Sequence, residues 1–260
     1  MTFRKSRAGA SPDYFAAEAA GLRWLAVPDG PPVVAVLDVG RDFLDLARLP
    51  CGAATEAAAV DFGRRLAVMH QAGADSFGAA PAGYRGAGFI ADLPLPYGSW
   101  DAFGPFYAEA RVRPYVDLLP RPTPAVFTRL MQALQEGDPH LVGPPEHPAR
   151  LHGDLWSGNV MWSPRPANSS GPAVAGWLID PAAHGGHRET DLAMLALFGA
   201  PHLTSILDGY QQARPLAPGW RRRVPLHQVH PLLVHAVLFG GGYLQQAMSA
   251  AAAALAALDR

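Results

Sequence analysis

The sequence predicts an α+β protein, with its β-rich segments gathered in residues 1–50 and a mostly helical remainder over 51–260. Three observations carry this. The β-branched run Val33-Val34-Ala35-Val36-Leu37-Asp38-Val39 lies within the first fifty residues. Beyond residue 51, apolar residues recur at helical spacing in several segments. Two short apolar stretches, Val160-Met161-Trp162 and Trp177-Leu178-Ile179, flank a polar excursion like a pair of strands.

The elements follow in order. Phe3-Arg4-Lys5 reads as a strand end. Ser11 is an N-cap, with Pro12 at the first helical position and Phe15, Leu22 and Leu25 on one face beside Glu18. Pro31 to Val39 supplies one or two strands. Thr55 caps a helix through Gln71, with Val60, Leu66, Val68 and Met69 as its apolar side. Gly73 to Pro96 is rich in Gly and Pro and reads as a long surface excursion. Thr123-Pro124 opens a helix carrying Val126, Phe127, Leu130, Met131 and Leu134, which Gly137 ends. Ser163 to Gly176 is expected to be a flexible linker, and helices follow from Glu189 and from about Leu226. The chain has no internal repeat.

With 260 residues, 49% of them hydrophobic, and a net charge of −1, the chain can bury a sizeable core as one large domain or two lobes. That charge balance gives no basis for a nucleic-acid or anionic-membrane partner. The single cysteine, Cys51, cannot form an internal disulfide, so nothing demands an oxidising compartment; it reads as structural filler. The N-terminus lacks an apolar secretory segment, and Ala247 to Leu258 is too short for a span. Cytoplasm is the expected location, and a monomer or weak dimer the expected state.

The chemistry concentrates in His152-Gly153-Asp154-Leu155-Trp156-Ser157-Gly158-Asn159 and in Ile179-Asp180-Pro181. An acid five positions before an amide, with a second acid ending the next strand, is the parts list for phosphoryl transfer in kinase-like folds. Asp154 would orient a hydroxyl and accept its proton. Asn159 and Asp180 would hold magnesium against nucleotide phosphates, because the transition state carries spread negative charge and is served by positioning and cations. A His-Gly-Asp string alone also fits a buried structural pair; the Asn spacing and the flanking strands favour catalysis. A transition-metal hydrolase built on His152, Asp154, Asp180 and His184 would leave Asn159, Lys5 and Glu18 without a role.

The strings HGDLWSGNVMW, LIDPAAHGGHRETDLAML and LFGGGY resemble the fructosamine kinase family, which shares the protein-kinase-like fold of aminoglycoside and choline kinases. The likeness continues upstream through Trp100, Phe103, Arg111 and Pro114 to Phe15, Glu18 and Leu22. It implies a two-lobed fold with ATP and Mg2+ as cofactors and a ketosamine as acceptor. It gives Asp154 the role of catalytic base and makes Asn159 and Asp180 the metal ligands. Lys5 becomes the lysine that grips the phosphates, Glu18 its helix partner, and His152 and Asp191 braces of the catalytic loop. It also places the hinge between lobes at Asp42 to Pro50.

Lys5 has support of its own. Of 21 basic residues it is the one lysine, the rest being arginine. A compact ammonium and a planar guanidinium are not interchangeable where a cation must reach phosphates. The departure from the family lies ahead of Lys5, where members carry two strands and a nucleotide-covering loop. Their lack here fits either a start misplaced at an internal Met or a truncated, catalytically impaired homologue.

For the acceptor, Trp156 follows the base by two residues, so an aromatic face would border the sugar. His187, Arg188 and Glu189 offer donors and acceptors for a polyol amine, or else a salt-bridged brace. Phe239 to Tyr243, with its three glycines, would admit a bulky aglycone or pack two helices. The expected activity is phosphorylation of the 3-hydroxyl of ribulosamine-, erythrulosamine- or fructosamine-type glycated amines, a deglycation repair. An aminoglycoside or amino alcohol as acceptor is the alternative.

Overall fold

The computed structural model describes residues 1–165 and 169–258. The first lobe holds β1 (Thr2–Ser6), α1 (Tyr14–Leu25), β2 (Val36–Val39) and β3 (Phe43–Ala47). The sheet runs β1-β3-β2, antiparallel throughout, with Lys5 opposite Leu44. The expected hinge at Asp42 to Pro50 is therefore mostly the central strand. Leu44 and Leu46 alternate inward against Phe15 and Leu22 of α1, while the Asp45 carboxylate takes a forked bond from Arg4. Helix α1 begins two residues later than Ser11-Pro12 implied; Ser11 Oγ accepts from the Asp13 amide in the preceding turn.

Only the second half of the Val33–Val39 run joins this sheet. The first half crosses to the other lobe, where the Val34 amide donates to Leu178 O and the Leu178 amide donates to Pro32 O.

The second lobe opens with α2 (Glu56–Gln71), whose first turn is capped by Thr55 Oγ1 accepting from the Ala58 amide at 3.2 Å. Its buried face is Phe62, Leu66 and Met69; Val68 points outward, against expectation. Residues 73–96 are not a free excursion. They form the hairpin β4 (Phe89–Ile90) and β5 (Leu93–Pro94), which folds back onto α1. The Ala87 amide donates to Asp13 there, and Tyr14 meets Phe89 edge-on. One bent helical segment follows, α3 (Phe103–Phe106), a π-helical turn over Tyr107–Val112, and α4 (Arg113–Val116). Then come α5 (Ala125–Glu136), ended by left-handed Gly137, and α6 (Pro139–Val142).

The functional loops hang on two small antiparallel pairs. Strand β6 (Ala149–Leu151) precedes the His152 loop, and β7 (Val160–Pro164) follows it. Strand β7 pairs with β8 (Val174–Leu178) in the register Val160 to Leu178, and β6 pairs with β9 (His184–Gly186). The pairing consumes both ends of the expected linker, leaving Arg165 to Ala173 between the strands; Pro166 to Asn168 lie outside the described residues. The fold closes with α7 (Glu189–Leu197), α8 (Leu203–Ala213), α9 (Trp220–Phe239) and α10 (Tyr243–Leu255). Helices α2 and α8 touch backbone to backbone, since a Cβ on Gly63 would lie 1.9 Å from Ile206 O. Cys51 is exposed. Among the described residues no helix is long and apolar enough to cross a membrane.

Candidate active site

The register of β7 on β8 sets Asn159 and Asp180 side by side, because each residue lies just beyond the Val160–Leu178 pair at one end of the ribbon. Gly153 turns the chain ahead of them. Its φ is +81°, and a Cβ there would fall 2.1 Å from Ala182 O, so the left-handed turn and the close approach both require glycine. Asp180 also takes a left-handed conformation at φ +51°, which a carboxamide or carboxylate side chain tolerates better than most.

These turns bring five side chains to one cleft of about 220 Å³, lined by Lys5, Glu18, Asp154, Asn159 and Asp180. Lys5 Nζ donates to both Glu18 oxygens, at 2.8 and 2.7 Å, and to Asp180 Oδ1 at 3.0 Å. Burial works against the Lys5 ammonium, but Glu18 and Asp180 outweigh it and its pKa is raised. Asn159 Nδ2 donates to Asp154 Oδ2 at 2.9 Å and to the Asp154 carbonyl at 2.8 Å. Burial pushes the Asp154 carboxyl up to about 6; the Asn159 bond opposes that, and Asp180 and Asp191 add to it. The result is an ionised carboxylate at neutral pH that is more basic than an exposed one.

The same geometry fits a magnesium nucleotide. The NH2 end of Asn159 is spent on the protein, which leaves its carbonyl oxygen as the end free for a cation. Asp180 supplies a carboxylate whose side chain is 44% exposed to the cleft. The Lys5 ammonium lies in the same cleft, held by Glu18 and Asp180.

Behind the loop, Asp191 is fully buried and accepts from the His152 and Gly153 amides at 2.9 and 3.0 Å. It also takes His70 Nε2 at 3.1 Å, which leaves His70 Nδ1 to accept from Tyr210 OH at 2.9 Å. Burial would raise the Asp191 pKa, but these donors lower it. His152 donates from Nε2 to Ile179 O at 2.8 Å and so links the loop to the strand before Asp180.

A family model for fructosamine kinase matches residues 1–257. The chain belongs to the fructosamine kinase family. Members are small-molecule phosphotransferases. A probable ketoamine kinase of Synechocystis is 34% identical over 247 residues, which are 90% of this chain and 76% of the relative. One from Thermus thermophilus is 36% identical over 242 residues, 90% of this chain and 79% of the relative. A solved structure from Thermobifida fusca, assigned as a fructosamine-3-kinase, superposes with a TM-score of 0.85 at 43% identity, covering 98% of this chain and 85% of its own. A Streptococcus pneumoniae choline kinase superposes with a TM-score of 0.60 at 15% identity, covering 98% and 86%, a likeness of fold alone. The fold is therefore the protein-kinase-like α+β architecture.

The cleft does not gather every residue singled out above. His187, Arg188 and Glu189 are buried and lie apart from it. Arg188 forks onto Glu146 at 2.7 Å twice and donates to Arg214 O and Pro215 O. Glu189 takes the Arg223 fork at 2.5 and 3.0 Å. His187 stacks on His227, and burial, with His227 beside it, holds its pKa down at about 3. Of the two readings of this trio, the structure favours the salt-bridged brace: both guanidinium forks are spent inside the protein. Trp156 is 41% exposed, outside the cleft and beside it.

Sequence reasoning passed over Tyr14, Phe89, Ile90 and Tyr97, which line the cleft, and His70 and Tyr210, which back the loop. Phe89 and Ile90 reach the cleft only through the hairpin, and no local pattern marks it. The spacing of His70 within the amphipathic face of α2 was a usable signal, since it falls three and four residues after Ala67 and Leu66, both buried.

Proposed function

We propose that this chain is an ATP- and Mg2+-dependent ketosamine kinase that phosphorylates the sugar 3-hydroxyl. The observation that carries the reading is the convergence of Lys5, Glu18, Asp154, Asn159 and Asp180 on one cleft, in a member of the fructosamine kinase family. Asp154 is the catalytic base: it accepts the hydroxyl proton as the hydroxyl oxygen bonds to phosphorus and the bond to the diphosphate leaving group breaks. Asn159 restrains the Asp154 carboxylate through Nδ2, fixing which oxygen faces the acceptor. Asn159 and Asp180 are the metal ligands, and the bound cation would neutralise charge developing on the phosphate oxygens. Lys5 holds phosphate oxygens, and Glu18 keeps its ammonium extended toward them. Asp191 and His152 hold the loop and touch no substrate.

A phosphate on the carbon beside the ketone leaves readily once the sugar enolises toward the amine-bearing carbon; that carbon is left as an imine, and water hydrolyses it to release the amine. The chain is accordingly a deglycation repair enzyme. Free and protein-bound ketosamines share the reacting group, and a ribulosamine is the first acceptor to test.

Magnesium-dependent ADP release with a ribulosamine tests the reading, using wild type and Asp154→Asn. The variant should lose turnover by about three orders of magnitude or more while still binding nucleotide. Unchanged turnover would remove Asp154 as the base.

A further inference from the structure

Arg111 is a guanidinium sealed inside the protein, 1% exposed, with no acid to meet it. It stands on the π-helical turn over Tyr107–Val112, a helix distortion common at functional sites. Its Nη1 donates to Pro96 O at 2.9 Å and to Ala110 O at 2.8 Å, and its Nε donates to His184 Nε2 at 3.4 Å. The guanidinium carbon lies 4.7 Å from the centre of the Phe106 ring. The remaining nitrogen, Nη2, is buried and has no partner among the described residues.

The other deeply buried arginines are treated differently. Arg165, Arg188 and Arg223 have side chains 6% exposed, and each meets a carboxylate, of Asp61, Glu146 and Glu189 in turn. Burial pulls the Arg111 pKa down to about 10, so the group is still a cation at neutral pH. The groups acting on its charge are Tyr115, Tyr97 and Tyr107, phenols that are uncharged there. A buried charge with no counter-charge is strongly destabilising.

A second orphan belongs to the same cluster. His230 Nε2, from α9, is buried with no partner among the described residues, and its ring lies 4.9 Å from that of Tyr115. Burial, with Arg111 beside them, holds both His184 and His230 neutral, and His230 acts in turn on His184. His184 spends Nδ1 on Ala182 O at 2.8 Å, so its Nε2 is the acceptor for Arg111. Buried polar groups are nearly always bonded, and an orphan pair beside an uncompensated cation calls for an ion.

We infer that Arg111 Nη2 and His230 Nε2 bind a buried monovalent anion, a halide, with chloride as the natural occupant. One positive charge calls for one negative charge. A sphere accepts N–H bonds from any direction, and the Phe106 and Tyr115 rings suit a weakly hydrated ion. A divalent phosphate or sulfate would overcompensate the charge and cost far more to strip of water. The site lies behind the cleft and serves both functional loops. His184 pairs with Leu151, the residue before His152, and bonds Ala182, two residues after Asp180. This role is independent of which acceptor the cleft takes.

Bromide is the probe. Crystals of protein purified and grown in potassium bromide should give an anomalous difference peak between Arg111 Nη2 and His230 Nε2. No peak there, with a water in its place, would overturn the inference. In solution, Tm in potassium chloride should exceed Tm in potassium gluconate at equal ionic strength, by about 5 °C at a hundredfold excess over Kd. Arg111→Met removes the charge and should abolish that difference. His230→Phe removes one donor, keeps the charge and should reduce it; this variant carries the solution test should Arg111→Met fail to fold. Equal Tm values for wild type in the two salts would also overturn the inference. So would a difference of the same size in wild type and variants, since that marks a general salt effect.

Discussion

Replacing Asp191 with Asn isolates what holds the catalytic loop. The carboxylate takes three donors at 2.9 to 3.1 Å in a fully buried position, with the His152 amide and His70 Nε2 on Oδ2 and the Gly153 amide on Oδ1. Asn has one oxygen. Turned to keep the two donors on the Oδ2 side, its NH2 faces the Gly153 amide, donor against donor. One charge-assisted bond is lost, a buried N–H is left unpartnered, and the other two bonds lose their charge. Each of the first two effects costs about 1–3 kcal/mol, so a loss of roughly 2–6 kcal/mol is expected. Urea denaturation should show the midpoint falling by about 1–2 M. Turnover should fall together with stability, because displacement of the Gly153 peptide moves the adjoining Asp154, and about 1 Å of misplacement costs about 100-fold. Asp191→Asn with an unchanged midpoint and unchanged kcat would refute the idea that this carboxylate holds the loop.

Lys5→Arg should lower kcat about 100-fold, since the guanidinium cannot meet Glu18 and Asp180 as a point charge, and ADP release measures it. Gly153→Ala should destabilise by at least about 1–2 kcal/mol from the left-handed turn alone, read by thermal melting, with further loss from the Ala182 contact. Acid should unfold the protein from just below neutrality. Burial lowers the pKa of His187 to about 3, beside His227, Glu189, Glu146 and Arg223, and holds those of His184 and His230 far below the ordinary value. Because the folded values lie below the unfolded one, this stability is complete above about pH 6.5 and is lost as pH falls, by up to roughly 1.4 kcal/mol per pH unit for each ring. Urea midpoints at pH 7.5, 6 and 5 measure that slope, and a flat profile would contradict it.

Much of the cleft was legible because its residues lie in short strings with fixed spacing. Asp154 and Asn159 share one loop, and Asp180 follows an apolar stretch that can only pair with the one after Asn159. Thr55 and Gly137 were legible because their cap chemistry is local. The misread parts depend on partners far away in sequence. Phe43 to Ala47 looks like a connection until Arg4, 41 residues earlier, pairs with Asp45. The hairpin at Phe89 has too few residues to show a period, and its place is fixed by Asp13 and Tyr14. Arg188 and Glu189 resemble ligand contacts because the same groups serve a binding site or a buried fork; only Glu146 and Arg223 decide between them.

The two backbone bonds between Pro32–Val34 and Leu178 give the lobes a mechanical seam. Leu178 lies two residues ahead of Asp180, and the segment that pairs with it runs directly into β2. Any rocking of the first lobe therefore tugs on the strand that presents Asp180. Lys5 rides on the same lobe, so both ends of the Lys5–Asp180 contact travel together. His152 also ties the catalytic loop to Ile179, so the loop is carried along with that strand, and the seam keeps Lys5, Asp154 and Asp180 in one frame.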